Sequence, residues 1–188
     1  GTFPPFLSPK DLILYLIGRI SAQGANFKVI EFHGETIRQM TTSGRLVLCN
    51  MSVEAGATSG IVPADDETAL YLRREAHVKD RIDPVLPDAD AVYEQVVDID
   101  VSALEPQIAC PHTVDNVKTV EKVEGTAVNQ VVVGSCTNGR LDDLEIVANI
   151  IKGRTVAKNV RMLIFPASGK IYSQALAKGL LGQFMQAG

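Results

Sequence analysis

Cysteine is scarce in this chain of 188 residues, and its pattern excludes a disulfide scaffold. Cys49, Cys110 and Cys136 form an odd set with no C-x-x-C pair, so a reducing cytoplasm is the expected compartment. No apolar run approaches the ~20 residues that a bilayer-spanning helix needs, so no membrane partner is expected. No basic cluster stands against the formal net charge of −4, which removes the electrostatic ground for binding nucleic acid. Low-complexity tracts, solenoid repeats, G-x-G-x-x-G and a P-loop lysine are all missing. The N-terminus lacks the basic, apolar, small-residue order of a secretory signal. It starts at Gly1 rather than methionine, and Gln186-Ala187-Gly188 directly follows an apolar helical pattern, so a piece of a longer protein is expected.

What is present is an ordinary globular mixture, 46% apolar and 21% charged, long enough for one large domain or two small ones. The most informative stretch is Val131-Val132-Val133-Gly134-Ser135-Cys136-Thr137-Asn138-Gly139-Arg140. A β-branched run ending in glycine reads as a strand and a tight turn. Leu141 to Ile151 continues at helical spacing, with Leu144, Val147, Ala148 and Ile151 on one stripe. Cys136 is thereby expected near a helix N-terminus, where free N–H groups favour a thiolate over a thiol. Such a thiolate binds metal or attacks an electrophile. The pattern then recurs, with a strand over 160–165, a turn at Pro166-Ala167-Ser168-Gly169, and a helix from Ile171 to Lys178 closed by Gly179. Alternation at this spacing predicts an α/β fold, layered αβα, with a largely parallel sheet. Cys136 and Ser168 both fall at carboxyl ends of strands, where ligands sit in such sheets.

Upstream, Ser8-Pro9-Lys10-Asp11 is a helix start, Leu12, Leu16 and Ile20 mark its buried stripe, and Gly24 is the expected stop. Phe27 to Phe32 is strand-like. Ser43 is expected to cap a helix running through Cys49, Asn50, Met51 and Val53 towards Gly56, apolar nearly all round as if enclosed by protein. Asn50 and Glu54 are its polar exceptions, four apart and therefore on one face. A carboxylate in such a helix costs free energy unless it is paired, liganded or facing a polar cleft. The plainer alternative is a glutamate reaching solvent or a lysine. Asp65 or Asp66 caps a further helix carrying Leu70, Tyr71 and Ala76. Lys79 to Asp90, with Pro84 and Pro87, reads as a linker that divides the chain into residues 1–84 and 85–188. Tyr93 to Val101 alternates polar and apolar and predicts a strand with one wet face. Cys110-Pro111-His112 reads as a loop in which a buried free cysteine is a better account than a metal pair.

Three of these stretches together resemble the aconitase superfamily. Gly134-Ser135-Cys136-Thr137-Asn138-Gly139-Arg140 is similar to the family's first cluster-cysteine motif. Leu48-Cys49-Asn50-Met51-Ser52-Val53-Glu54-Ala55-Gly56-Ala57 resembles its C-N-M-x-x-E-x-G-A segment, and Phe165-Pro166-Ala167-Ser168 its proline–small–serine turn. Order and separation agree over most of the chain. Compact spacing and Asp65-Asp66-Glu67-Thr68 resemble the isopropylmalate-dehydratase and homoaconitase branch, of large-subunit type, more than mitochondrial aconitase.

The resemblance implies an aconitase-like iron–sulfur domain fragment of two subdomains, from a hydro-lyase that uses a [4Fe–4S] cluster. Such enzymes isomerise a hydroxy di- or tricarboxylate by dehydration and rehydration, here 2-isopropylmalate to 3-isopropylmalate, with citrate or homocitrate as alternatives. Family members hold three irons by cysteine and leave the fourth open as a Lewis acid. By position Cys136 would be the first cluster ligand, Asn50 a hydrogen-bond donor beside the cluster, and Glu54 a proton handler facing the open iron. Ser135, Thr137 and Asn138 would shape the turn. The family's other two cysteine ligands, a C-x-x-C pair, are not in this sequence, and its general base comes from a small subunit or swivelling domain. The chain alone is therefore expected to be folded, inactive and without a cluster.

Three other readings compete. Cys136 could be a catalytic nucleophile, with His33, His77 and His112 as the available bases, none in a recognisable partner motif. The Gly134 and Ser168-Gly169 turns could bind phosphate at helix openings. The chain could also be a scaffold without catalysis.

Overall fold

The computed structural model describes residues 1–188, and they group into two compact units, Gly1–Val123 and Glu124–Gly188. The division lies well beyond the sequence-derived boundary at 84/85. The reason is packing. Val101 and Leu104 are buried in the core of the first unit, with Val97, Ile99, Ala109, Val114 and Val117 against it. The proline-containing stretch is irregular and almost wholly exposed, as a linker would be, yet the chain returns to the same core after it.

In the first unit, α1 (Pro9–Ile20) forms where Ser8 and Asp11 predict it. The Asp11 carboxylate accepts from both the Ser8 N–H and its hydroxyl at 2.8 Å, occupying groups that would otherwise open the helix unpaired. The helix stops at Ser21, whose φ is 72° and whose N–H reaches the Ile17 carbonyl, rather than at Gly24. β1 (Val29–Glu31) is shorter than expected, because Phe27 turns with a φ of 62°. α2 (Glu35–Gln39) follows and was not visible as a pattern. α3 (Thr42–Met51) is capped by Thr41, not Ser43, and tightens into a single 3₁₀ turn, Ser52–Ala55, that ends at left-handed Gly56. β2 (Ser59–Ile61) lies parallel to β1 with Ile30 opposite Gly60. α4 (Asp66–Glu75) is capped by Asp65. β3 (Gln107–Ala109) and β4 (Val117–Thr119) close the unit as an antiparallel pair. Ile13, Ile17 and Leu48 are fully buried at the contact of α1 with α3, the centre of this core.

The second unit follows the predicted alternation closely. β5 (Gln130–Gly134), α5 (Ser135–Asn138), α6 (Leu141–Ile151), β6 (Arg161–Phe165), α7 (Gly169–Ala177) and α8 (Leu180–Ala187) occur in that order. β5 and β6 are parallel, with Gly134 opposite Phe165. Leu144 and Ala148 of the α6 stripe pack with Ala175 and Leu180 in a separate small core. The fold is thus mixed α/β, with two small parallel sheets and one antiparallel pair. The strand expected over 93–101 is not formed. Val97, Ile99 and Val101 pack on the core as the alternation implies, but the segment makes no ladder and Val101 opens a 3₁₀ turn, Val101–Ala103.

Candidate functional site

The residues singled out by sequence fall into two turns, one in each unit. In the first unit Asn50 stands on the last turn of α3 and Glu54 in the 3₁₀ turn after it, and both side chains are exposed. The helix is therefore not enclosed on all sides. Val53, between them, is 57% exposed, whereas Leu48 and Ser52 are completely buried on the other side. An exposed glutamate on such a surface needs no partner to offset burial.

The backbone under this pair is closely held. The Ser52 hydroxyl donates to the Leu48 carbonyl at 2.9 Å, using an acceptor at the helix end. Gly60 of β2 lies directly against it, so that a Cβ there would sit 2.2 Å from Ser52 Oγ and 2.8 Å from Cys49 Cα. The Ala25 N–H bonds to the Ala55 carbonyl at 2.9 Å, tying the 3₁₀ turn to the loop after α1. Cys49 is half-buried, and burial pushes its thiol above the ordinary range. Burial thus favours the neutral thiol there.

Two features of this unit escaped the sequence reading. Arg45, 3% exposed within the apolar part of α3, donates to both Asp65 carboxylate oxygens at 2.6 and 2.7 Å. It also donates to the carbonyls of Met40 and Arg38. Glu67 accepts from the Thr42 N–H at 2.8 Å and from its hydroxyl at 3.0 Å. The Asp65-Asp66-Glu67-Thr68 run therefore locks the start of α4 onto the start of α3. A lone arginine among apolar helix residues, with an N-cap aspartate downstream, was the available signal; nothing local links the two.

In the second unit Cys136 is exposed on α5, a single helical turn between β5 and α6. Gly134 enters it with a φ of 136°, and a Cβ there would lie 2.1 Å from the Phe165 carbonyl oxygen. Only glycine fits both requirements. Gly139 closes the turn against the same carbonyl, where a Cβ would lie 2.6 Å from its oxygen, and the Gly139 oxygen accepts from the Ala167 N–H at 2.8 Å. The Gly134–Gly139 and Phe165–Ser168 motifs are thus joined at the adjacent carboxyl ends of two parallel strands, as predicted for Cys136 and Ser168. Ser168 Oγ accepts from the Ile171 N–H at 3.2 Å and so caps α7.

The expected helix N-terminus beside Cys136 is already taken. Asp143 accepts from the Arg140 N–H at 3.0 Å and from Asn138 Nδ2 at 3.1 Å, which fills the entrance of α6 with a carboxylate. Burial raises the pKa of Asp143 despite these bonds. An anion on this opening would meet an acid, which weakens the phosphate reading. No histidine occurs in 124–188, so the unit bearing Cys136 supplies no imidazole to activate a nucleophile. Cys110 is half-buried, and its N–H donates to the Asn116 carbonyl in the loop joining β3 to β4. It forms no ligand set with His112: no three His, Cys, Asp or Glu side chains are positioned to hold a metal ion.

No helix is long and apolar enough to cross a membrane. Comparison with known proteins agrees with the three motifs. The family model described as aconitase family (aconitate hydratase) matches residues 1–124 and 115–188, which together span the chain. A probable 3-isopropylmalate dehydratase large subunit of Methanothermobacter thermautotrophicus is 50% identical over 179 residues, 95% of this chain and 42% of that protein. A 3-isopropylmalate dehydratase large subunit of Archaeoglobus fulgidus is 47% identical over all of this chain and 45% of its own. A probable methanogen homoaconitase large subunit of Methanosarcina mazei is 45% identical, again over all of this chain and 47% of its own. The chain thus spans under half the length of the curated relatives it matches. With both turns inside the matched segments and the whole length accounted for, the chain belongs to the aconitase family.

Proposed function

We propose that this chain is the part of a hydro-lyase large subunit that contributes Cys136 as one ligand of a [4Fe–4S] cluster and Asn50 and Glu54 as substrate-side groups. The activity of the whole protein would be isomerisation of a hydroxy di- or tricarboxylate by loss and regain of water. The substrate that the similar proteins' names favour is isopropylmalate, in leucine biosynthesis, with homoaconitase activity as the alternative because one relative bears that name. A small subunit is the expected partner, since these relatives are named large subunits.

The single observation that carries the proposal is the exposed Cys136 thiol on a turn fixed by Gly134, Gly139 and the Phe165–Ala167 backbone. In this reading Asn50 orients the substrate by donating a hydrogen bond, and Glu54 holds a proton at the substrate hydroxyl. Both are exposed, as groups meeting a ligand must be. The cluster itself does not fit the donors present here. Cys136 is one exposed thiol, Cys49 is half-buried with a raised pKa, and no three donors converge. The chain alone should therefore carry neither cluster nor turnover.

Anaerobic treatment with iron and sulfide tests this. The 188-residue chain is expected to show no stable iron–sulfur absorption. A chain extended to the relatives' length and paired with its small subunit should acquire it, and lose it with Cys136→Ser. Glu54→Gln in that complex should keep the absorption and lower kcat by roughly 10²-fold or more. A stable cluster on the short chain, or a cluster that survives Cys136→Ser, overturns the assignment.

A further inference from the structure

The sheet of the second unit stops at two strands, and the path of its helices says where a third belongs. β5 and β6 are parallel, in register from Gln130 opposite Arg161 to Gly134 opposite Phe165. The Arg161 N–H donates to the Asn129 carbonyl at 2.9 Å, so Arg161, Leu163 and Phe165 turn their backbone groups towards β5. By the same alternation Met162 and Ile164 turn theirs the other way, onto an edge where no strand pairs. Met162-Leu163-Ile164-Phe165 is nevertheless a continuous apolar run, the composition of a strand enclosed in a parallel sheet.

The helices supply the direction. α6, α7 and α8 pack together in one small core, on the face of the sheet that Ile164 presents, while Val132 and Phe165 on the opposite face are exposed. α7 starts just past the carboxyl end of β6, and α8 brings the chain back to the entry of that strand. There the Val156 N–H, in the loop before β6, donates to the Ala187 carbonyl at 2.8 Å. Connections from a strand through a helix to a parallel strand are right-handed in about 98% of cases. Two crossovers of one hand with their helices on one face advance in one direction, so the strand after α8 falls on the free edge of β6 and not beside β5. This chain covers 42% and 45% of the two 3-isopropylmalate dehydratase large subunits, so more than half of such a protein lies outside it. We propose that the free edge of β6 is the docking surface for a third parallel strand, supplied by the chain of the same protein beyond Gly188. The carboxyl end of that strand would lie beside Phe165–Ser168, at the end of the sheet that carries Cys136. The strand follows from topology and does not depend on the cluster assignment.

Amide exchange followed by NMR tests it, on the chain lengthened by the next ~15 residues of its natural sequence, enough for a short loop and a strand. The outward amides of Met162 and Ile164 should exchange at least about tenfold slower than unstructured peptide, as the inward amide of Leu163 does. Amide to α-proton contacts should link 162–164 to the added residues in parallel order. If the lengthened chain does not fold, the same amides in the full-length protein decide. Met162 and Ile164 exchanging at unstructured rates overturn the proposal. So does protection that comes from residues within 1–188, from a second copy as shown by concentration dependence, or from a strand in antiparallel order.

Discussion

Replacing Asp65 by alanine should cost far more than an ordinary surface substitution, because of what it leaves behind. Asp65 is itself about one-third exposed, but its partner Arg45 is only 4% exposed and takes both carboxylate oxygens at 2.6 and 2.7 Å. Without the carboxylate, a buried guanidinium keeps its charge and two carbonyl acceptors but loses its counter-ion. Breaking a buried pair in this one-sided way costs about 3–5 kcal/mol. The exposure of Asp65 lets water reach part of the gap and argues for the low end. Losing its acceptance from the Thr68 N–H adds about 1 kcal/mol as the α4 cap disappears. The expected total is therefore about 3–4 kcal/mol at neutral pH, read from urea unfolding followed on α3 and α4 amides.

The matched control is Arg45→Met with Asp65→Leu, which removes both charges and should recover most of that loss. A cost below ~1 kcal/mol for Asp65→Ala, or a double variant no better than the single, would refute the buried-pair reasoning. The same pair sets a pH dependence. The Arg45 guanidinium holds the Asp65 carboxyl below its usual range, so its contribution is complete above the unfolded carboxylate pKa of ~3.9. It should fade as pH falls through the depressed folded value, and Asp65→Asn should flatten that fall.

Asp143 should behave with the opposite sign. Burial raises its pKa, so the stability it lends 124–188 is full below its ordinary value and declines as pH rises through the folded one. Asp143→Asn should remove that decline in a pH series of unfolding midpoints. Gly134→Ala should destabilise the second unit by more than about 2 kcal/mol, since it combines a left-handed φ with a Cβ driven into the Phe165 carbonyl; an unchanged unfolding midpoint would contradict the close approach. Leu144→Ala, at a fully buried position, should cost the same unit about 3 kcal/mol by denaturant unfolding. Alkylation read by mass spectrometry should modify exposed Cys136 well before Cys49 at neutral pH, and the Cys49 rate should keep rising above the ordinary thiol range.

Periodicity and capping chemistry are local, and the elements they govern were legible. The Ser8–Asp11 start of α1, the Leu144–Ala148 stripe of α6, the turn at 166–169 and the glycine-bounded turn around Cys136 all follow from residues a few positions apart. So did the three motifs of the family, because each is a short run whose neighbours are covalently set. What could not be read is what depends on distant partners. Alternation at 93–101 states which side chains turn inward, not whether a neighbouring strand lies within bonding distance. Composition at 79–90 marks exposure, but only the burial of Val101 and Leu104 in the first core shows that the unit continues to Val123. Arg45 and Asp65 are twenty residues apart, and no pattern in either helix announces a buried charge pair. Residue type and spacing determined most of the elements, and three short motifs determined the family, whose resemblance implies the chemistry of Cys136, Asn50 and Glu54. Tertiary packing decided where the units divide, which charges are buried and which strand edge is left open, since burial and pairing are properties of segments brought together from afar.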